Sequence, residues 1–314
     1  MRKPLLLITI ILGLTLTLLY LLSSTPARDS NTVKINCNIN IVTRFLMDEN
    51  KWKTWWPGVV KYDSATNKNE FDYQGYKYLV KEYKYNLINI QTVTKNFKLD
   101  GSILFVQLSA DSVFLEWKYS LPIISNPIKR FLLYREAKKV HSNAMNIIKN
   151  LKTILENQVN VYGVKFHEKM SSDSTLVAIR STTRHYPSSN DIYSLVAKLR
   201  KYINEQGAKE YNFPMLNVKK ISDSTFEYMV ALPVNKFLPG NGEILHKRYV
   251  PWKVLMAEVN GGSYTVENAL KEMNIYMSDY QKKTMALPFQ SLVTDRSKQP
   301  DTLKWITRIY TPIP

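Results

Sequence analysis

One pattern of strands and a helix is written twice in the second half of this chain, and it limits what that half can fold into. In the first copy, residues 175–183 read as a strand. Ile192, Leu195, Val196, Leu199 and Ile203 then recur at helical spacing, with Asn190 and Asp191 as capping residues and Gly207 as the stop. Two strands follow, at 213–218 and 226–234, the second closing on Ala231-Leu232-Pro233-Val234. In the second copy, a strand at 252–259 leads into the turn Gly261-Gly262-Ser263-Tyr264. A helix bearing Val266, Ala269, Leu270, Met273, Tyr276, Met277 and Tyr280 comes next, and then strands at 287–295 and 305–313. The endings Leu-Pro-Val and Thr-Pro-Ile echo each other. Two βαββ units related by a pseudo-twofold make a small sheet with a cleft at their junction.

The chain has 314 residues, 45% of them hydrophobic and 22% charged, enough for two domains with their own cores. We place the first at 31–158 and the second at 162–314. The first begins with alternating residues at 32–39, followed by a short helix carrying Val42, Phe45 and Leu46 and capped from Asn40. A β-rich stretch runs from 71 to 119, and an amphipathic helix over 134–157 closes the domain with Ala137, Val140, Ala144, Ile147, Ile148, Leu151 and Leu155 on one side. Between the short helix and the strands lies Lys51-Trp52-Lys53-Thr54-Trp55-Trp56-Pro57. This order and this Trp-rich turn resemble the START-like, helix-grip (SRPBCC, polyketide cyclase-like) superfamily. The resemblance implies a sheet around the long helix and an apolar cavity. We read Trp52, Trp55 and Trp56 as packing residues. No paired carboxylates or histidine cluster support catalysis here.

Ahead of both domains, residues 5–22 are apolar apart from Thr, Gly and Tyr, and Arg2 and Lys3 precede them. At about 1.5 Å per residue such a helix nears the thickness of a bilayer's hydrocarbon. Residues 1–27 are therefore read as a single-pass signal-anchor, with the domains outside the cytoplasm by the positive-inside rule. Small residues at 23–27 keep export after signal cleavage as the alternative. The net charge of +17 is spread along the chain without a nucleic-acid-binding motif, which favours a basic surface near anionic lipid over nucleic-acid binding. The single Cys37 excludes an internal disulfide and a multi-cysteine metal site. His141, His167, His185 and His246 lack ligand spacing, so neither metal nor cofactor is expected.

The second half carries Gly262-Ser263-Tyr264, then Leu287-Pro288-Phe289, Val293-Thr294-Asp295, Pro300-Asp301 and Ile309-Tyr310-Thr311-Pro312-Ile313, in that order. It resembles the GyrI-like domain, the effector-binding module of AraC-type and MerR-type activators. The resemblance implies a small-molecule cleft. Where the family often has a glutamate, this chain has Gln290. Where a tyrosine is usual it has Leu292, and Arg296 stands in place of a proline. An amide hydrogen-bonds but cannot serve as a base or anion. The candidate ligand-binding residues are Glu258, Tyr264, Gln290, Tyr228 and Trp305, with no catalytic residue named. The expected fold is α+β: a transmembrane helix, a helix-grip domain, and a GyrI-like domain of two βαββ repeats. The expected function is membrane-anchored binding of a small apolar or aromatic molecule, without a DNA-binding domain and without enzymatic activity. The alternative is a small hydrolase or cyclase-like enzyme.

Overall fold

The computed structural model describes residues 2–23, 29–64, 67–171, 174–249 and 251–314. The chain divides into two compact units, Met1–Asn157 and Gln158–Pro314. Helix α1 (Arg2–Ser23) occupies the apolar segment expected to cross a membrane. Among the described residues, no helix is long and apolar enough to do so, and the side chains of residues 2–7 and 19–23 fall outside that description. The expected transmembrane helix is thus not found. Residues 24–28, which carry most of the expected cleavage site, also lie outside the described set.

The first unit continues with β1 (Asp29–Ile35), α2 (Ile39–Leu46), a 3-10 turn and α3 (Trp52–Trp55). Strands β2 (Val59–Asp63), β3 (Lys68–Tyr73), β4 (Tyr76–Lys84), β5 (Leu87–Val93), β6 (Lys98–Ser109) and β7 (Ser112–Ser120) follow, and then α4 (Pro127–Leu155). The strands form one antiparallel sheet in the order β1-β7-β6-β5-β4-β3-β2. Helix α4 starts well before the apolar periodicity does, because Asn126 caps it by accepting from the amides of Ile128 and Lys129, with Pro127 in the first turn. The same chemistry moves the cap of α2 from the expected Asn40 to Asn38, whose side chain accepts from the amide of Asn40. Trp52, Trp55 and Trp56 are buried together with Phe71 and Tyr78. Each indole N–H donates to a backbone carbonyl, of Leu46, Phe45 and Asp72 respectively. Beside them, a Cβ on Gly58 would stand 1.9 Å from the carbonyl oxygen of Asp72, so the turn tolerates only glycine there.

The second unit opens with α5 (Gln158–Tyr162), β8 (His167–Met170), β9 (Ser174–Thr183), α6 (Ser189–Glu205), β10 (Met215–Ser222) and β11 (Thr225–Val234). It closes with β12 (Leu245–Tyr249), β13 (Lys253–Asn260), α7 (Ser263–Asp279), β14 (Phe289–Leu292) and β15 (Ile306–Ile313). All eight strands join one sheet, ordered β12-β9-β11-β10-β14-β15-β13-β8. The two expected βαββ copies are β9-α6-β10-β11 and β13-α7-β14-β15, and they meet at β10 and β14. The repeat is longer than its pattern suggests. Strand β8 leads into the first copy but pairs with β13 of the second, and β12 leads into the second but pairs with β9 of the first. Each copy thus lends an edge strand to the other.

Both helices lie on one face. Val177, Ile179, Leu216, Val230, Leu232 and Leu292 pack with Ile192, Leu195, Val196 and Leu199 of α6. Residues directly paired across strands share a face. The pairing of Leu292 with Thr307 therefore puts Thr307, Ile309 and Thr311 on that side, where the Thr311 hydroxyl donates to the sulfur of Met273 in α7. Helix α6 is capped from Ser188, which forms a capping box with Asp191; Asn190 and Asp191 sit inside the first turn.

Strand β8 is held by more than its ladder. Glu168 meets the amines of Lys253 and Lys282, each at 2.6 Å. Hydrogen bonds from these lysines hold its carboxyl below the usual range. A depressed carboxylate contributes stability that is present above the unfolded-state value, near 4.5, and is lost as pH falls through the folded one. We predict that lowering the pH from about 6 to about 3 reduces the thermal midpoint of this unit more in the wild type than in Glu168→Gln. Parallel pH profiles would show that the pair contributes nothing.

Candidate functional site

The helices leave the other face of the C-terminal sheet uncovered among the described residues. Leu176 and Ala178 of β9, Ala231 of β11, and the partly buried Met215 and Met229 form a small apolar cluster there. Two cavities open on this face and share Met215 and Phe289. The larger and more apolar, about 400 Å³, adds Trp252, Leu287 and Pro312 to that cluster. The second, about 280 Å³, is lined by Tyr211, Phe213, Ser291, Arg308 and Tyr310 among others. Together they form a groove over the junction of the two copies. The ring of Phe289 stacks on Tyr310 at 4.9 Å and 14°, and the amine of Lys169 lies 5.1 Å from the Tyr310 ring centre.

The prolines in each copy explain the groove. Pro214 and Pro288 directly precede the central strands β10 and β14, and proline cannot donate to a ladder. The central pairing is therefore short, joining only Met215 with Ser291 and Leu216 with Gln290. Beyond these pairs the seam keeps one bond, from the amide of Leu292 to the carbonyl of Pro214 at 2.8 Å, and then the segments 211–213 and 286–288 become walls instead of strands. The Asn217 side chain donates to the carbonyl of Pro288 at 2.7 Å and fixes one wall. Leu287 remains 62% exposed on it.

The groove is electrostatically one-sided. Lys169 and Arg308 line the smaller cavity, Lys247 and Arg248 the larger, and neither is lined by a carboxylate or an imidazole among the described residues. Arg308 is itself paired with Glu258 at 2.9 Å.

The structure does not gather the five residues singled out from the sequence. Glu258 pairs across the ladder with Arg308, beyond the groove wall. Gln290 faces the helices and is 4% exposed, its amide donating to the Tyr186 hydroxyl at 3.4 Å. Strand β15 separates the strands of these two residues, and their side chains point to opposite faces. Tyr228 belongs to the core under α6. Trp305 is buried with its indole N–H bonded to the carbonyl of Gln299, and Tyr264 stands 75% exposed in the first turn of α7. The groove residues Leu176, Met215, Met229, Trp252 and Phe289 were not singled out. Their signal was strand β11, apolar at consecutive positions from Met229 to Val234, as befits a strand with apolar surroundings on both sides.

Around Gln290 the helix side holds an unusual cation. Arg296, where the family resemblance expects proline, is 6% exposed. Its Nη2 donates to the Thr307 hydroxyl at 2.7 Å, its guanidinium lies 4.7 Å from the Trp305 ring centre, and its Nε has no hydrogen-bond partner among the described residues. Burial pulls its pKa down, and burial likewise pushes the Tyr186 and Tyr193 hydroxyls up. The Tyr193 hydroxyl donates to the carbonyl of Thr294 and accepts from the amide of Arg296.

No family model and no curated protein matches the chain. Solved structures that it resembles include EcmrR in a cryo-EM complex with DNA, at 14% identity, 60% of this chain, 71% of that one and a TM-score of 0.45. SAV2435 bound to tetraphenylphosphonium follows at 18% identity, 48% and 94% coverage and a TM-score of 0.32. A hydrolase from Listeria innocua gives 10% identity, 48% and 92% coverage and a TM-score of 0.38. At these scores and identities the likenesses carry none of the assignments below. The class rests on topology: an α+β protein whose second unit is a twofold ββαββ sheet with helices on one face.

A buried cation without a carboxylate is a poor contributor to stability. We predict that Arg296→Met leaves the unfolding free energy from urea titration within about 1 kcal/mol of the wild type or raises it. Thr307→Val, which strands the guanidinium, should lower stability by about 1–3 kcal/mol. A larger loss in Arg296→Met than in Thr307→Val would show that the guanidinium is a required strut.

Proposed function

We propose that the C-terminal unit is a small-molecule-binding module of the GyrI-like kind, and that its ligand lies in the groove on the uncovered face of the sheet. The observation that carries this reading is the apolar cavity of about 400 Å³ left where the two copies part at Pro214 and Pro288. A concavity of this size, apolar with a few polar groups, is the usual form of a ligand site. An uncovered apolar surface on a folded sheet also marks an interaction site more often than an accident. Binding is favoured over turnover because neither cavity offers a carboxylate or imidazole to serve as a general base. Glu258, the sequence's candidate acid, is held by Arg308.

For the first unit, the sheet and long closing helix support the START-like reading. For α1, the reading as a membrane tether with both units outside the cytoplasm rests on residues 2–22 of the sequence alone.

Two experiments test these readings. A neutral environment-sensitive dye such as Nile red should brighten with the wild type. It should stay dim with Ala231→Phe, whose ring fills the cavity, while the thermal midpoint holds. Equal brightness in both would place the dye elsewhere and remove the groove from consideration. A reporter active only in the cytoplasm, fused after Pro314, should be silent; strong activity would reverse the proposed orientation.

A further inference from the structure

We infer that the start of α4 and the loop before it form a docking surface for an anionic lipid bilayer, with apolar side chains set among the lipids and Arg135 and Lys139 at the head groups. Ile123 in the loop is 97% exposed and Ile128 66%, and Phe131 and Leu132 are exposed beside them. The opposite side of the helix, with Leu133, Ala137 and Val140, is buried. Ile128, Phe131, Leu132, Arg135 and Lys139 recur at spacings of three and four, which puts them on one outward side. That side is apolar in its first turns and cationic beyond them. Single exposed apolar residues are ordinary on a protein, but a cluster of them at one end of a helix marks an interaction site.

Charge and place decide the occupant. Over 121–140 the cations Lys129, Arg130, Arg135, Lys138 and Lys139 stand against one carboxylate, Glu136. That carboxylate accepts from the Tyr76 hydroxyl at 2.7 Å and meets Lys139 only at 4.0 Å, while Lys138 is engaged over the Tyr134 ring. Apolar residues flanked by cations on one helix face settle at a negatively charged lipid interface. The helix end is also built to leave water. Pro127 has no N–H, the amides of Ile128 and Lys129 donate to the Asn126 side chain, and that of Arg130 donates to the Asn126 carbonyl. No amide of the first turn is left unmet. The Arg130 Nε holds the loop by donating to the carbonyl of Ile124 at 3.0 Å. As to place, β1 begins opposite Tyr119, β7 ends at Ser120 and α4 starts at Pro127, and α1 lies against α4. The surface thus stands where the chain passes to its apolar N-terminal segment. Loop and helix form it without any part of α1 crossing the bilayer.

The test uses the full chain with a fluorescent label on Ile123→Cys, and phosphatidylcholine vesicles made with and without phosphatidylglycerol. The native Cys37 is buried and does not compete for the label. Quenching by acrylamide, a neutral molecule, should be weaker by about three-fold or more on the anionic vesicles than on the neutral ones. A label at Tyr85→Cys, 94% exposed between β4 and β5, should be quenched equally on both. The double variant Arg135→Gln, Lys139→Gln should bring quenching at position 123 back to its value on neutral vesicles while the thermal midpoint holds, and raised salt should act in the same direction. Equal quenching at position 123 on the two kinds of vesicle would overturn the inference, and so would protection that the double variant leaves intact. Protection that follows protein concentration instead of lipid would give the surface to a second copy of the chain and overturn it likewise.

Discussion

The C-terminal unit hangs on a short seam. Met215 with Ser291 and Leu216 with Gln290 are the pairs through which the two copies join at the centre of the sheet. Each seam residue alternates between two environments. Leu216 and Gln290 face the helices and are buried, and Met215 and Ser291 face the groove. A longer seam would have closed the groove; a shorter one would have left the copies joined only by their exchanged outer strands. Proline on both sides sets the length: Pro214 accepts from the Leu292 amide, but neither Pro214 nor Pro288 can donate to the ladder.

This seam also explains why the two faces differ so much in chemistry. On the helix side, apolar stripes from α6 and α7 cover the strands, and the polar groups caught beneath them are only partly satisfied: Gln290 meets Tyr186, and Arg296 meets Thr307 through Nη2 while its Nε has no hydrogen-bond partner among the described residues. On the other side no helix of the described residues covers the strands, and their apolar residues remain accessible around the opening. The first unit uses its aromatics differently. Trp52, Trp55 and Trp56 anchor a turn, each by its own indole N–H donated to a backbone carbonyl.

Much of the architecture was legible in the residues. The helical stripes of α6 and α7 are strong because a period near 3.6 is sustained over several turns. The longer strands between them show as short apolar runs, as in β11 from Met229 to Val234. Strands β8 and β12 were not legible. His-Glu-Lys-Met and Leu-His-Lys-Arg-Tyr are short and polar, and they are strands only because β13 and β9 offer edges to them. Caps were misjudged by a residue or two where several cap-forming side chains lie close together, as at Ser188, Asn190 and Asp191. The site was the least legible part. Motif order leads to Gln290, but a strand's pattern does not say which of its faces the helices will cover, and a shift of one residue separates Gln290 in the core from Phe289 in the groove.

The exchange of outer strands reaches beyond the sheet. A chain holding one copy alone, from its leading strand to its last, would carry an outer strand with nothing to pair and a bare central edge. Two such chains, set head to head, would satisfy every strand pairing that the full unit makes. The unit therefore contains the plan of a symmetric homodimer whose subunits have been joined end to end. Once joined, the halves were free to diverge, and they have: Lys247 and Arg248 belong to the strand that precedes the second half, where the corresponding strand of the first reads His-Glu-Lys-Met. A twofold pocket offers the same groups twice; fusion is what allows a pocket built this way to acquire a front and a back.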